Sequence, residues 1–519
     1  MKEYKALQNG SDIRGIALEG VEGQAVNLTD EAARDLSLAF AKWLSEKNRK
    51  PVNTVVVAVG RDSRLSGEHL QEICTRTLAE AGVMVYDCGM ASTPAMFMST
   101  VLPHSWADGA IMITASHLPF NRNGFKYFTE DGGLDKPDIK ELIKIAEGLG
   151  EEGLGPSRSM GAIVPYRLMV HYSEHLRGVI CKGLGKTEAD KPLSGMHIVV
   201  DAGNGAGGFY VSQVLEPLGA DCSGSAFLEP DGTFPNHQPN PENKEAMEAI
   251  CNASKAAGAD LGIIFDTDVD RAAAVDSKGR PIARNGIVAL AAVLASEGHP
   301  GTTIVTDSIT SNQLGAFLTG PLGLTHLRFK RGYKNVINKA IELNAAGTDC
   351  QLAIETSGHA ALKENYFLDD GAYLATRIVV KAAQLKAEGK PIESLLEQLE
   401  EPLEAAEFRL AVTAEDFASY AGGILDELEA WIGQGECDEA HPCGGRCRCG
   451  MTLEKPNYEG IRVNCDAANG DGWFLLRKSL HDPLMPLNIE SNKQGGVEII
   501  AKKVKALLAM YKDLDTSKL

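Results

Sequence analysis

A strand–turn–helix unit that occurs three times is the feature that most restricts how this chain can fold. Apolar strands are predicted at Thr54–Val59, Met196–Val200 and Thr302–Thr306, and each ends in a polar or glycine-rich turn. Units of this kind build sheets that are covered by helices. They lie more than a hundred residues apart, which excludes a repeat of short period. The pattern therefore predicts three similar α/β domains.

Length, charge and cysteine content narrow the class of protein further. A chain of 519 residues is too long for one hydrophobic core. Its net charge of −19 argues against binding to nucleic acid or to an anionic membrane surface. The longest apolar run, Ile287–Ala295, is about half of a membrane span. Eleven mostly scattered cysteines are typical of reduced thiols, so we expect a cytoplasmic protein.

A serine follows one of the predicted buried strands. The strand Gly109–Ile113 breaks just before Ser116, and Pro119 prevents an ordinary continuation. The serine hydroxyl is therefore held at the end of a rigid element, with His117 beside it and Lys126 ten positions further on. This arrangement suits a nucleophile or a phosphorylated serine.

Three aspartates alternate after another predicted buried strand. Asp266, Asp268 and Asp270 are spaced so that their carboxylates can converge on one hard cation such as Mg²⁺. An EF-hand is excluded because its sixth and twelfth loop positions would be Arg271 and Ser277, where glycine and glutamate are needed. An acidic hairpin that faces water is the structural alternative.

A glycine-rich turn after the second strand allows a further interpretation. Residues Gly203–Gly208 fit the dinucleotide-binding pattern G-x-G-x-x-G, and they follow a predicted strand. The acidic residue expected about twenty positions later is only weakly matched by Asp221 or Glu229. A structural turn is therefore the alternative to a nucleotide site.

These loops resemble those of the α-D-phosphohexomutases, a family that includes phosphoglucomutase, phosphomannomutase and phosphoglucosamine mutase. Thr114–Lys126 resembles the family's phosphoserine loop, and Asp266–Arg271 resembles its metal loop. The resemblance implies that the phosphate on the serine, here Ser116, supplies a further metal ligand beside the three aspartates. Asp12–Gly15 resembles its opening motif, whose arginine reaches the active site. Two positions depart from the family pattern, because Leu118 replaces a usual asparagine and Thr267 a usual glycine.

Two loops in the third predicted domain extend the resemblance. Arg331 and Lys334 lie in a basic segment that matches the family's substrate loop, although a solvated basic turn is the alternative. Glu355, Ser357 and His359 match the Glu-x-Ser-Gly-His loop that holds sugar hydroxyls. The histidine argues against the classical phosphoglucomutase branch, which carries Ser-Phe-Gly there.

The last domain supplies a further match and a predicted linker. Arg477 and Ser479 match the loop that grips the phosphate not being transferred, while His481 and Asp482 replace its threonine and glutamate. His481 can still donate a hydrogen bond to phosphate. Residues 401–415 are acidic, interrupted by proline and poor in bulky side chains, which predicts a linker.

A cysteine-rich segment in the last domain lies outside the resemblance. Cys437, Cys443, Cys447 and Cys449 could hold zinc as a tetrahedral thiolate site. Their spacing is not one of the common zinc patterns, and the family does not generally have them. A reduced, glycine-rich insertion is the alternative.

The resemblance implies a four-domain fold of class α/β. We expect three similar α/β domains with mixed sheets and a C-terminal α+β domain, arranged around a central cleft. The predicted boundaries are 1–165 with the phosphoserine loop, 166–285 with the metal loop, 286–402 with the sugar loop, and 403–519 as a phosphate-binding lid.

The resemblance also implies a reaction. The enzyme would interconvert hexose 1-phosphate and hexose 6-phosphate, of glucose, mannose or both, through phospho-Ser116 and a hexose 1,6-bisphosphate that also acts as activator. Mg²⁺ is the expected cofactor. Lys126 is the candidate general base, His117 would orient, and Arg14 and Arg271 would stabilise developing charge. Small sugar phosphates are the expected partners of a monomer or homodimer.

Three other functions stay open at this point. The first is phosphoglucosamine mutase activity. The second is a non-catalytic homologue that binds sugar phosphates. It is suggested by the departures at Leu118, at His481 and at Ala353, which with Ile354 replaces the glycines usual before the glutamate of the sugar loop. The third is a Mg²⁺-dependent phosphatase that uses an aspartate nucleophile. Product analysis with glucose 1-phosphate, Mg²⁺ and a trace of bisphosphate distinguishes an active mutase from the last two.

Overall fold

The chain folds into two compact units, Met1–His299 with Leu343–Leu396 and Pro300–Glu342 with Glu397–Leu519. The structure is a computed structural model, which describes residues 3–103, 105–150, 153–154, 159–437, 446–479 and 482–519. The predicted fold class is confirmed, because α/β regions with mixed sheets precede a C-terminal region with one antiparallel sheet. Among the described residues, no helix combines the length and the apolar character that a bilayer crossing requires.

The first α/β region forms a mixed sheet flanked by helices. Strands β3, β4, β5 and β8 run parallel, whereas β6 runs antiparallel to β5 and β2. Their order is β1-β2-β6-β5-β3-β4-β8, with β7 beside β6, so the carboxyl ends of β3 and β5 are neighbours. The strands are β1 (Gln8–Asn9), β2 (Asp12–Ile16), β3 (Val56–Arg61), β4 (Met84–Met90), β5 (Gly109–Ile113), β6 (Arg122–Thr129), β7 (Gly132–Gly133) and β8 (Ile163–Pro165). The helices are α1 (Asp30–Asn48), α2 (Gly67–Glu80), α3 (Thr93–Met98) and α4 (Lys136–Glu147).

The second α/β region has a smaller mixed sheet of order β12-β11-β10-β9. Strand β10 pairs parallel with β9 and antiparallel with β11, so the loop between β10 and β11 reverses the chain. The strands are β9 (Ile198–Asp201), β10 (Leu261–Phe265), β11 (Ala272–Val275) and β12 (Pro281–Ile282). The helices are α5 (Leu168–Leu184) and α6 (Lys244–Ala257), and the next helix, α7 (Asn285–Ala295), packs against elements of the third α/β region.

The glycine-rich turn after β9 packs against protein backbone. A Cβ atom at Gly205 would lie 2.5 Å from the carbonyl oxygen of Thr267, and one at Gly208 would lie 2.1 Å from that of Leu228. Both glycines are therefore required by close approaches within the chain. This packing favours the structural interpretation of the turn over dinucleotide binding.

The third α/β region contributes elements to both units. In the second unit, β13 (Thr303–Thr306) and β14 (Thr325–Arg328) pair parallel, with helices α8 (Asn312–Thr319) and α9 (Tyr333–Ala345) after them. In the first unit, β15 (Cys350–Ile354), β16 (Ala360–Leu362) and β17 (Leu368–Asp369) pair antiparallel in sequence order, and helix α10 (Gly371–Ala387) follows. The turn between β15 and β16 carries the predicted sugar loop.

The C-terminal region is an antiparallel sheet of order β18-β22-β21-β20-β19, covered by two helices. Its buried core includes Leu410, Ile424, Phe474 and Val504. The strands are β18 (Glu404–Ala411), β19 (Met451–Leu453), β20 (Ile461–Cys465), β21 (Gly472–Leu476) and β22 (Leu484–Ser491). The helices are α11 (Phe417–Ile432) and α12 (Gly496–Leu508).

The predicted linker at 401–415 is wrong over most of its length. Residues Glu404–Ala411 form β18, which pairs with β22 from Glu404 opposite Ser491 to Ala411 opposite Leu484. The strand lies at the edge of the sheet and most of its side chains are half-buried or exposed. Small and acidic side chains are therefore tolerated, because the pairing is supplied by backbone hydrogen bonds.

Candidate active site

Ser116 lies three residues after the end of β5, in a backbone conformation that is unusual for serine. Its φ angle is +51°, in the left-handed region that residues other than glycine rarely adopt. The backbone N–H of Ser116 donates to Thr114 Oγ1 at 2.9 Å, and that hydroxyl donates to Asp62 Oδ2 at 2.6 Å. Holding a residue in this region costs about 1–3 kcal/mol, which the surrounding contacts must offset. The loop is thus held by its own Thr114 and by Asp62, which follows β3.

Arg64 is a residue of this loop's support that sequence reasoning missed. Its guanidinium donates to the carbonyl oxygens of Ser116, Leu118 (2.7 Å), Pro119 (2.9 Å) and Arg122 (3.1 Å). The arginine is 1% exposed. It follows β3, whose carboxyl end is adjacent to that of β5. Strand order is the signal that would have found it, and strand order cannot be read from the local sequence.

We expect Arg64→Lys to lower kcat about 10- to 100-fold while the metal dependence stays unchanged. Lysine keeps the charge, but it cannot reproduce several hydrogen bonds from one planar guanidinium, and each lost bond to a charged donor is worth about 1.5–3 kcal/mol before relaxation. Steady-state kinetics and thermal unfolding measure the effect. The control is Arg76→Lys on the exposed face of α2, which should behave like the wild type. Equal kinetics in both variants would contradict the role of Arg64.

The Ser116 hydroxyl lies among three polar groups. Its Oγ donates to Asp266 Oδ2 at 3.2 Å and accepts from Arg271 Nη2 at 3.0 Å. His117 Nδ1 lies 3.3 Å from the hydroxyl and 2.5 Å from Arg271 Nη2. Burial, with the positive charge of Arg271, lowers the pKa of His117 to about 3. The imidazole is therefore neutral near pH 7 and accepts through Nδ1, as its predicted orienting role requires.

The three alternating aspartates converge in the loop between β10 and β11. One carboxylate oxygen of each of Asp266, Asp268 and Asp270 lies within 4.8 Å of the others, and all three residues are at most 1% exposed. Val269, with φ of +67°, turns the backbone between them. The alternative of an acidic hairpin facing water is therefore wrong.

The carboxylate cluster fits a hard divalent cation. Oδ1 of Asp268 and Oδ1 of Asp270 are buried, and neither has a hydrogen-bond partner among the described residues. Buried carboxylate oxygens without partners are costly unless a cation or a proton compensates them. Burial and the neighbouring charge of Asp270 raise the pKa of Asp266 well above its usual range. Mg²⁺ prefers such oxygen ligands.

Lys126 is brought to the same cluster by the pairing of β6 with β5. It lies opposite Met112 in the sheet and is 5% exposed. Its ammonium donates to Asp270 and lies 3.3 Å from Asp268 Oδ2. Thr93, at the start of α3, donates to the same Asp268 oxygen at 2.5 Å. One carboxylate oxygen of Asp268 is thus held in place while its other oxygen stays available.

Arg14 reaches the serine loop from β2. Its Nη1 donates to the carbonyl oxygen of Thr114, and its Nη2 forms an ion pair of 2.9 Å with Asp12. β2 approaches β6 so closely that a Cβ atom at Gly124 would lie 2.0 Å from the carbonyl oxygen of Ile13. The predicted opening motif therefore contacts the serine loop.

The predicted sugar loop lies in the same unit as the serine and the aspartates. Glu355 and Ser357 are buried, and Ser357 Oγ has no hydrogen-bond partner among the described residues. His359 Nδ1 lies 2.5 Å from Asp369 Oδ2 and 3.8 Å from Asp270 Oδ1. Although burial opposes it, the charges of these two carboxylates raise the pKa of His359 to about 9. His359 is thus a cation beside the metal loop, and Asp369 is its partner.

The second unit holds the other predicted anion-binding residues. The backbone N–H of Arg331 donates to Glu459 Oε2 at 3.2 Å, and its side chain lies 3.9 Å from Asp307. Arg477 Nε is buried without a hydrogen-bond partner among the described residues. Burial lowers the pKa of Arg477, and the charge of Glu459 acts in the opposite direction. A phosphate would supply the missing acceptor.

Three further predicted residues belong to this unit. Lys334 lies in the first turn of α9 and is half-buried. Ser479 is also half-buried, and its hydroxyl accepts from the backbone N–H of Asp482 at 3.2 Å. His481 lies outside the described residues.

Comparison with known families covers the three α/β regions. Residues 5–151 match phosphoglucomutase/phosphomannomutase alpha/beta/alpha domain I, residues 171–279 match domain II, and residues 284–403 match domain III. These ranges contain the serine loop, the metal loop and the predicted sugar loop in turn.

Individual relatives cover most of the chain. It is 29% identical over 498 residues to a phosphoglucomutase of Neisseria gonorrhoeae, which spans 96% of this chain and 95% of the relative. It is 30% identical to a phosphoglucosamine mutase of Alkaliphilus oremlandii, over 73% of this chain and 79% of the relative. A crystal structure of a phosphoglucomutase/phosphomannomutase family protein from Burkholderia thailandensis superimposes with a TM-score of 0.74 at 26% identity, covering 96% of both chains. The chain therefore belongs to the α-D-phosphohexomutase family.

Proposed function

We propose that Ser116 carries the phosphoryl group in the interconversion of hexose 1-phosphate and hexose 6-phosphate. As a member of its family the chain is a hexose phosphate mutase. The observation that carries our proposal is the Ser116 hydroxyl, held 3.0 Å from the Arg271 guanidinium and 3.2 Å from the metal-loop carboxylate of Asp266. A phosphoryl group on this oxygen would lie beside the positive charge of the Arg271 guanidinium.

The first half-reaction moves the phosphoryl group from the serine to the sugar. The free hydroxyl of a hexose monophosphate attacks phosphorus, the bond from phosphorus to Ser116 Oγ breaks, and a hexose 1,6-bisphosphate forms. Lys126 takes the hydroxyl proton, and the released Ser116 Oγ is left as an alkoxide beside the Arg271 guanidinium. Arg271 with Arg14 also stabilises charge on the phosphoryl oxygens. His117, which accepts from Arg271, keeps that guanidinium in position.

The second half-reaction returns the other phosphoryl group. After the bisphosphate has turned over, Ser116 Oγ attacks its second phosphorus, and the oxygen that is released takes a proton from Lys126. Bisphosphate lost from the enzyme leaves the serine without phosphate, so added hexose 1,6-bisphosphate acts as an activator. In this scheme the buried residues Glu355 and Ser357 and the half-buried His359 bind sugar hydroxyls.

Asp266, Asp268 and Asp270 are the residues that would hold Mg²⁺. When bound, the ion supplies positive charge to the carboxylates and to the phosphoryl oxygens. Lys126 contacts two of those carboxylates, Asp268 and Asp270, so the proposed base lies at the site where the ion would bind.

In the second unit, we expect Arg477→Ala to raise KM for hexose phosphate about 10- to 100-fold with little change in thermal stability. The side chain would lose a charge-assisted contact to a substrate phosphate, worth about 1.5–3 kcal/mol. Arg331, Lys334, Ser479 and His481 are proposed to serve the same phosphate. The control is Arg409→Ala on the exposed face of β18. Unchanged kinetics in Arg477→Ala would contradict the role.

The substrate range is tested by comparing kcat/KM for three sugars. Each assay contains Mg²⁺, a trace of the matching bisphosphate and one substrate: glucose 1-phosphate, mannose 1-phosphate or glucosamine 1-phosphate. We propose glucose and mannose phosphates as substrates. Glucosamine phosphate is the second candidate, because the relative from Alkaliphilus oremlandii is a phosphoglucosamine mutase. Release of inorganic phosphate without isomerisation would support the phosphatase alternative, and the absence of any turnover would support the non-catalytic one.

The redox state of the cysteines indicates the cellular compartment of the protein. The described cysteines form no disulfide, and most are buried. We therefore propose a cytoplasmic enzyme, since reduced thiols are typical of that compartment.

A further inference from the structure

Three cysteines of the C-terminal region, none of which has a role in the proposed reaction, bring their sulfur atoms together. The Sγ atoms of Cys437, Cys447 and Cys449 all lie within 4.8 Å of one another. Cys443 lies outside the described residues. We propose that Cys437, Cys447 and Cys449 bind one zinc ion that stabilises the C-terminal region.

The spacing of the sulfur atoms suits a soft divalent ion. With Zn–S bonds of about 2.3 Å, tetrahedral thiolate ligands lie about 3.8 Å apart. Thiolate sulfur selects zinc over magnesium, which prefers oxygen. The three sulfurs leave one position of the tetrahedron for a further donor. The cluster therefore differs in chemistry from the three carboxylates of the metal loop.

The environment of these cysteines differs from that of most other described cysteines. Unligated cysteine usually behaves as a small apolar side chain and is buried. Cys74, Cys88 and Cys350 follow this rule, whereas Cys447 is exposed. Cys437 and Cys449 are half-buried. Core packing therefore does not explain why three thiols converge here, whereas a shared metal ion does.

Arg448 fixes the segment that carries two of the ligands. Its side chain is fully buried, Nε donates to the carbonyl oxygen of Gly435 at 2.7 Å, and the guanidinium lies 4.3 Å from the ring centroid of Trp431. The Trp431 ring N–H in turn donates to the carbonyl oxygen of Arg446 at 3.1 Å. The segments on both sides of the cluster are thus held to the end of α11, which preorganises the ligands.

Two further contacts hold the segment around Cys449 in place, one from α12 and one from Glu436 beside Cys437. Lys503 Nζ, on α12, donates to the carbonyl oxygen of Cys449 at 3.0 Å. The backbone N–H of Gly450 donates to Glu436 Oε1 at 3.0 Å. Three thiolates and one Zn²⁺ carry a net charge of −1, and the nearby Lys503 and Arg448 are suitable compensating cations. A zinc ion here would connect the segments that follow α11 and precede β19.

Metal analysis tests the proposal with the full-length enzyme. Protein is expressed with added zinc, purified without chelator and equilibrated with excess Mg²⁺, which competes for the carboxylate cluster. We expect about one zinc per chain in the wild type. We expect almost none in Cys447→Ser and in Cys449→Ser, and a thermal unfolding midpoint several degrees lower in both. Cys251→Ser, a half-buried cysteine on α6, is the matched control and should keep the zinc.

Cobalt substitution tests the ligand type in the wild-type chain, even if the variants do not fold. Replacing zinc by Co²⁺ should produce an intense thiolate-to-metal charge-transfer absorption. Zinc that stays in both serine variants, or a cobalt spectrum of oxygen ligands only, would overturn the proposal. So would a wild-type chain without zinc, including one whose Cys447 and Cys449 form a disulfide under non-reducing mass spectrometry. None of these readouts depends on mutase turnover, so the proposal can fail while the proposed function stands.

Discussion

We expect Ser116→Ala to lower kcat/KM for hexose phosphate interconversion by about 10³-fold or more. The substitution removes the only oxygen proposed to carry the phosphoryl group, and nucleophile deletions in enzymes of covalent mechanism cause losses of this size. The alanine is nearly isosteric, so Arg64 and Thr114 keep their backbone contacts to the loop. The rate is measured with saturating Mg²⁺ and with the bisphosphate activator present.

The control for this variant is Ser37→Ala. Ser37 is a buried serine on α1 whose hydroxyl donates to the carbonyl oxygen of Ala33 at 2.7 Å. It tests the effect of losing one buried serine hydroxyl outside the site. We expect normal kinetics and a modest loss of stability, of about 1 kcal/mol. Full turnover in Ser116→Ala would show that another group carries the phosphate.

The second large effect is expected for Asp268→Asn, which should lower kcat by about 10²- to 10³-fold. Asparagine keeps an oxygen for the Thr93 hydroxyl, but it removes the negative charge of a proposed metal ligand. The concentration of Mg²⁺ needed for half-maximal activity should rise at the same time. A titration of activity against Mg²⁺ measures both changes.

The matched control is Asp260→Asn, which lies just before the opposite end of the same strand β10. Asp260 accepts from the backbone N–H of His197 at 2.8 Å and pairs with Lys386. We expect this variant to show the wild-type Mg²⁺ dependence. If Asp268→Asn had the same Mg²⁺ dependence as the control, the carboxylate cluster would not be the metal site.

The two central loops could be predicted from the sequence because their chemistry is local. A buried strand that is followed by Ser116, and another that is followed by three alternating aspartates, each place polar groups near a strand end whatever the sheet order. The structure then shows that these ends meet, through contacts of Ser116 with Asp266 and Arg271. That meeting was implied by the family resemblance and not by the pattern itself.

The supporting residues could not be predicted because their partners are distant in sequence. Arg64 acts through the adjacency of β3 and β5, and Thr93 acts through a contact with Asp268 at 2.5 Å. None of these contacts corresponds to a recognisable spacing of residues in the sequence. The same reason explains the mistaken linker at 401–415, since β18 depends on β22 some eighty residues further along.

The most direct test of the central claim is to find the phosphate itself. The enzyme is incubated with glucose 1,6-bisphosphate and Mg²⁺, quenched, digested and mapped by mass spectrometry. Phosphate on the peptide that contains Ser116, at that serine and lost on dilution with excess glucose 1-phosphate, is the result that we predict. Phosphate on another residue, or an unmodified Ser116 in an enzyme that is turning over, would contradict the account.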